Sequence, residues 1–206
     1  MTADTFNLGA AVARRMAYRI RPATRSDLDV LVRQRRGMWR EIGDHTDEEL
    51  DAADRAYRRW ARPRLTSGVL VGWLAEAADG RIVAGGCVWL RENQPRPGWD
   101  DVVMPYLLSM YTEPEHRGRG LASRIVREAL RWAKARGYRR MTLHAADLGR
   151  GVYERLGFAR TWEMRYRLQP PPRGRPKQFG NHLVTPRTPS RAPKHTARAR
   201  RGSSRR

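Results

Sequence analysis

The sequence predicts an α/β fold: a mixed, largely antiparallel central sheet with flanking helices. Three observations carry this. Strand-like runs recur at 17–23, 68–77, 80–92, 102–112, 139–145 and 158–168. Stretches with apolar residues at helical spacing stand between several of them. In the first half the runs at 68–77 and 80–92 are separated only by a turn, as a hairpin allows, whereas in the second half helices intervene, as crossovers require.

Each element has a local reason. "AYRIRPA" reads as a short strand closed by Pro22. Thr24, Ser26 and Asp27 give a capping signal, after which Leu28, Leu31, Val32, Arg35 and Trp39 sit at helical spacing up to Gly43. Thr46 caps a second helix with acids in its first turn, expected to stop before Pro63. "GVLVGWLAEA" and "GRIVAGGCVWLRE" flank the turn "ADG". "VVMPYLLSMYT" reads as a third long strand whose start Pro105 weakens. Leu121, Ile125, Val126, Ala129, Leu130 and Ala133 form one apolar stripe, and Gly137 lies just past its end. "RRMTLHA" is a short strand, Val152 and Leu156 mark a short helix ended by Gly157, and "FARTWEMRYRL" alternates as a final strand. The expected order is β-α-α-β-β-β-α-β-α-β.

Composition bounds the rest. With 206 residues, 40% hydrophobic, the chain can bury a full core. Its net charge is +21, and the segment from Pro170 onward holds nine Arg, two Lys and no acid, together with seven of the 13 prolines. Residues 170–206 therefore read as a disordered Pro/Arg-rich basic tail, 17–169 as the folded domain, and 1–16 as a loose extension, with translation starting at Met1 or Met16. Charge alone would let the tail hold nucleic acid or an acidic partner non-specifically, but base-reading geometry and interleaved aromatics are missing, so a merely solvated tail is the plainer account. One cysteine, Cys87, excludes an intramolecular disulfide framework and reads as a buried small hydrophobe. No run approaches the ~20 apolar residues of a membrane span, and Asp4 with no basic n-region argues against a secretory signal. A cytoplasmic protein is expected. Nothing sets the oligomeric state, and a homodimer is compatible with the sequence. The five histidines form no ligand pair, so no metal is expected.

The chemistry-bearing stretch is "HRGRGLAS", residues 116–123, between a strand and a helix. The first N–H groups of a helix have no partner inside it and point out of its positive end. Gly118 and Gly120 remove the Cβ atoms that would hold a ligand off the backbone, and Arg117 and Arg119 add charge. An anion site results, although a surface turn with incidental arginines would look the same. It is no Walker loop, lacking Gly-Lys-Ser/Thr, and no dinucleotide fingerprint, lacking the third Gly/Ala. Some thirty residues on, "GVYERLGF" places Tyr153 on a short helix, where on its own it would be a half-buried tyrosine.

Together these two motifs closely resemble the GNAT superfamily of acetyl-CoA-dependent N-acetyltransferases. The Arg/Gln-x-x-Gly-x-Gly/Ala fingerprint is met by Arg117, Gly118, Arg119, Gly120, Leu121 and Ala122, and Tyr-Glu-x-Leu-Gly-Phe by Tyr153, Glu154, Leu156, Gly157 and Phe158. The element order matches that family's acyl-CoA N-acyltransferase fold from about Tyr18 to Leu168, roughly three quarters of the chain. The resemblance implies that the amides from Gly118 through Ser123 bind the pyrophosphate of coenzyme A. It implies that Met110, Tyr111 and Thr112 pair with the pantetheine arm like an added strand, and that Tyr153 is the general acid to the leaving thiolate. The chemistry agrees: a backbone N–H can stabilise the oxyanion formed when an amine attacks the thioester, and a phenol of reference pKa ~10 can protonate the thiolate.

The match departs at Ala146, where many family members have asparagine, and at Pro105 and Met141, where a glutamate base would stand. Glu41, Asp100, Glu113 and His144 are the local candidates for a base; Glu113 equally reads as a loop carboxylate beside His116, and His144 as a satisfied edge histidine. Glu41 and Trp39 could line an acceptor pocket or simply pack. The expected activity is direct transfer of acetyl from acetyl-CoA to a small-molecule or peptide primary amine. The competing expectation is a catalytically weak scaffold of the same fold that binds nucleic acid or an acidic partner through its tail.

Overall fold

The computed structural model describes residues 18–98, 102–164, 166 and 168. The expected extension 1–16, the basic tail 170–206 and Asp100 lie outside these residues. The elements are β1 (Tyr18–Pro22), α1 (Leu28–Ile42), α2 (Asp47–Ser67), β2 (Leu70–Ala77), β3 (Ile82–Glu92), β4 (Val103–Thr112), α3 (Leu121–Ala135), β5 (Thr142–Leu143) and α4 (Asp147–Glu154), with short 3₁₀ turns at Arg25–Asp27 and Pro114–His116. The sheet order is β1-β2-β3-β4-β5. The first three pairings are antiparallel and β4–β5 is parallel. The mixed, largely antiparallel sheet with flanking helices is thus the one expected.

The apolar periods decide which helix covers which face. Leu28, Leu31 and Val32 of α1 and Tyr57 and Ala61 of α2 pack on Leu70, Leu74, Ile82 and Cys87 of the sheet. Leu121, Ile125, Val126 and Ala129 of α3 pack on the other face, against Trp73, Ala75, Val83, Val88 and Leu107. Each such aliphatic side chain, fully buried, contributes about 1.5–3 kcal/mol. Arg36 ties α1 to α2 through Asp47, Asp51 and Asp54.

The junction of β1 and α1 is a compact polar knot. Arg21 donates to both carboxylate oxygens of Asp27, at 2.9 and 2.8 Å, and the Thr24 amide donates to the same carboxylate at 2.7 Å. The Arg21 guanidinium, with the Thr24 donors, holds the buried Asp27 carboxyl down at about 2, against the opposing pull of burial.

The pairing of β3 with β4 slips between Gly85 and Cys87, so that Gly86 faces two residues of β4, and Ser109 takes a positive φ of 54°. Gly86 is required by a close approach: a Cβ there would lie 2.1 Å from the Met110 sulfur. The bulge turns Met110 toward α3.

Three expectations need correcting. The second helix does not stop before Pro63; it continues to Ser67 and ends at Gly68, which has a φ of 75°. The last turn buries part of Leu65 against the α1–α2 core, and this packing outweighs the bond that proline removes. The strand expected over 139–145 shrinks to Thr142–Leu143, because the β4 edge it pairs with bends away at the bulge. The final strand expected over 158–168 does not form among the described residues: 158–164 have no regular structure. A two-residue β5 is too short an edge to template it, and its alternating side chains stay in solvent, Trp162 at 95% and Met164 at 94% exposure. Pro105, by contrast, is accommodated inside β4. It sits just before the β5 ladder begins at Tyr106, so its missing N–H breaks no bond on that edge.

Candidate active site

The site begins where β4 and β5 part. They pair only at Tyr106–Thr142 and Leu107–Leu143, and β4 then runs on to Thr112 without β5 beside it. A fork opens with one strand edge exposed. At its end the chain passes through the Pro114–His116 turn into Arg117–Gly120 and then α3.

Gly118 and Gly120 have φ of 70° and 75°, the left-handed region that side-chain-bearing residues rarely adopt, and a Cβ at either would meet nothing within 4 Å. Gly120 is the N-cap of α3. No side chain caps the helix and no acid stands in its first turn, so the first amides face outward into open space at the positive end of a 15-residue helix. This is a cradle shaped for an anion. The arginines are engaged elsewhere. Arg117 donates to the Thr112 carbonyl at 3.0 Å and to Glu41 of α1 at 2.5 Å, and Arg119 donates to the Glu115 carbonyl at 3.3 Å. They brace the loop. Glu113 pairs with Arg33, and His116 Nδ1 bonds the Tyr18 hydroxyl at 2.9 Å, so both form the loop's rim.

Met110 packs into the α3-side core, as do Leu121 and Tyr153. Tyr111 points to the other face, its ring lying over Gly37 of α1, and burial, seconded by the Glu41 charge, raises its pKa. Tyr153 is carried by α4, edge-on to Phe158 at 5.9 Å, and burial pushes its hydroxyl up to about 12. The structure therefore gathers Met110, the start of α3 and Tyr153 on one side of the sheet. The Cys87 thiol is fully buried and pushed up to about 12, which removes it as a nucleophile.

On the opposite side, a cavity of about 330 Å³ is lined by Gln34, Gly37, Arg40, Tyr111 and Glu113. Gln34 is 2% exposed, with neither amide atom hydrogen-bonded. Trp39 packs with Arg35 and His45 beside it. On the same side, at the fork, Tyr106, His144 and Glu163 join: the Tyr106 hydroxyl bonds His144 Nδ1, and His144 Nε2 bonds Glu163 at 2.5 Å. His144 was recognisable as a candidate, but Tyr106 and Glu163 were not. The one available signal was that Tyr106 stands two residues before Leu108 and so shares its face. Among the described residues no helix is long and apolar enough to cross a membrane.

Residues 32–158 match the Acetyltransferase (GNAT) family. A crystal structure of a GCN5-related N-acetyltransferase from Ralstonia eutropha is 32% identical, covers 73% of this chain and 98% of its own, and superposes with a TM-score of 0.68. A predicted acetyltransferase from Clostridium acetobutylicum, crystallised with acetyl-CoA, is 28% identical, covers 72% of this chain and 94% of its own, and has a TM-score of 0.66. An uncharacterized N-acetyltransferase of Methanocaldococcus jannaschii is 27% identical over 144 residues, 68% of this chain and 60% of that protein. The chain thus spans about three fifths of that curated relative. The chain belongs to the GNAT acetyltransferase family.

Proposed function

We propose that the protein is an acetyl-CoA-dependent N-acetyltransferase that acetylates a primary amine by direct attack. What carries this is the cradle: two left-handed glycines and an uncapped, acid-free first turn of α3, placed at the end of an unpaired β4 edge. The residues fit coenzyme A. The amides from Gly118 through Ser123 would hold its pyrophosphate, and the edge of Met110, Tyr111 and Thr112 that β5 leaves uncovered would hydrogen-bond the pantetheine arm as a strand does. Acetyl-CoA supplies the acetyl group as an activated thioester. Arg117, Arg119, Leu121 and Ala122 shape the loop, the arginines chiefly as braces.

Tyr153 would return a proton to the departing sulfur. Its hydroxyl, raised to about 12 by burial, stays protonated through the working pH range and is available as a donor. The raised pKa also has a stability consequence. Neutral Tyr153 supports the fold fully below the ordinary tyrosine value near 10, and that support is lost as pH climbs through about 12.

The test is thermal stability with acetyl-CoA. A ligand bound only by the folded state stabilises it by about 2.7 kcal/mol at a hundredfold excess over Kd and so must raise the melting point. Tyr153→Phe should show the same upshift as wild type while kcat falls on the order of a hundredfold or more. No upshift at millimolar acetyl-CoA would overturn the proposal, and a fully active Tyr153→Phe enzyme would overturn the acid assignment.

A further inference from the structure

We propose that Tyr106, His144 and Glu163 form the proton relay that takes the proton released by the acceptor amine. The inference rests on the acetyltransferase proposal above and adds the base that the family's glutamate positions, Pro105 and Met141 here, do not provide.

The hydrogen bonds fix the direction of the relay. A carboxylate only accepts, so the bond between Glu163 and His144 Nε2 places the imidazole proton on Nε2. Nδ1 is then an acceptor, and the Tyr106 hydroxyl donates to it. A phenol oxygen accepts as well as donates, so it can take the N–H of an incoming amine. This is nucleophile–base–orienter logic with the phenol serving as the proton conduit.

The placement agrees. Tyr106 and Leu107 make the last rungs with β5, and His144 is the residue at which β5 leaves the ladder. All three groups therefore meet at the mouth of the fork. Tyr106 stands opposite Trp89, and both Trp89 and Leu108 pack in the α1–α2 core, so Tyr106 faces that side. Tyr153 packs in the α3-side core. The two proton-transfer groups lie on opposite faces of the sheet with the fork between them. Amine and thiol can then approach and depart from different sides. Glu163 from the C-terminal segment and Arg91 on β3, whose guanidinium lies 4.3 Å over the Tyr106 ring, meet the His144–Tyr106 pair.

The step balances. The amine nitrogen forms the C–N bond as the C–S bond breaks. Its proton passes to the Tyr106 oxygen while the Tyr106 proton passes to His144 Nδ1, giving an imidazolium beside Glu163. The sulfur takes its proton from Tyr153. His144 returns its proton to water, and Tyr153 regains one from water.

The experiment combines two readouts on the full chain. Long-range ¹H–¹⁵N spectra, with His144 assigned by its absence in His144→Ala, should show the Nε2–H tautomer in wild type. With spermidine, kanamycin and a tetrapeptide bearing a free α-amine as acceptors, His144→Ala and Tyr106→Phe should lower kcat on the order of 10²-fold or more. KM for acetyl-CoA and the acetyl-CoA upshift should stay unchanged. Should His144→Ala fail to fold, Tyr106→Phe, which keeps the side-chain volume, carries the test. A normal upshift with His144→Ala within threefold of wild type, or an Nδ1–H tautomer, overturns the relay alone. No upshift in wild type overturns the acetyltransferase proposal and the relay with it.

Discussion

The two halves of the sheet are built differently. From β1 to β4 the strands are antiparallel and pair over five to eight residues, interrupted only by local bulges, with a helical layer on each face. From β4 to β5 there are two pairs, and beyond them no strand of the described residues pairs with that edge. The first half satisfies its backbone internally, as buried backbone must. The second leaves donors and acceptors at the strand edge and at the start of α3 for something else to satisfy. Regularity marks what holds the molecule together, and irregularity marks where the proposed coenzyme site lies.

Substitutions can break that comparison. The largest effect is expected at Gly120. Gly120→Glu puts a side chain and a negative charge at the mouth of the cradle and should weaken acetyl-CoA binding by more than about a hundredfold, with the fold retained. Gly120→Ala is the control: its Cβ meets nothing within 4 Å, so only backbone strain of about 1 kcal/mol remains. Equal binding losses in the two, measured by calorimetry, would mean that conformation rather than open space defines the site. Next is Asp27, in the regular half. Asp27→Asn should destabilise the fold by about 2 kcal/mol near neutral pH without touching binding. Because the folded carboxyl sits at about 2, below its unfolded value near 4, that stabilisation is complete above about pH 4 and disappears as pH falls toward 2. The denaturation midpoints of wild type and Asp27→Asn should therefore converge in acid; a constant gap would contradict the ion-pair origin. The smallest effect is expected at Trp162, 95% exposed in the irregular half. Trp162→Ser should change stability by less than about 0.5 kcal/mol. A larger loss would mean that the 158–168 segment is covered in solution.

The same division explains what could be read in the sequence. α1, α3 and the β2–β3 hairpin were legible because one apolar period governs each and the buried face decides the outcome, as with Leu121, Ile125, Val126 and Ala129. The glycine loop was legible because its chemistry is local: Gly118, Gly120 and an uncapped helix start lie within a few residues. What was not legible depends on partners distant in sequence. Alternation in "FARTWEMRYRL" matches a strand, but alternation cannot say whether an edge exists to receive it. Pro63 signals a helix end, but the burial of Leu65 three-dimensionally overrides it. Tyr106, His144 and Glu163 are separated by 38 and 19 residues, and only the fork brings them together.

Hydrogen–deuterium exchange of the full chain with and without saturating acetyl-CoA tests the central claim most directly. Protection should appear in peptides spanning 108–123, where the β4 edge and the first amides of α3 acquire partners, while β2 and β3 stay unchanged. Protection confined to α1 around the Gln34 cavity, or spread evenly over the sheet, would contradict the assignment of the open fork as the coenzyme site.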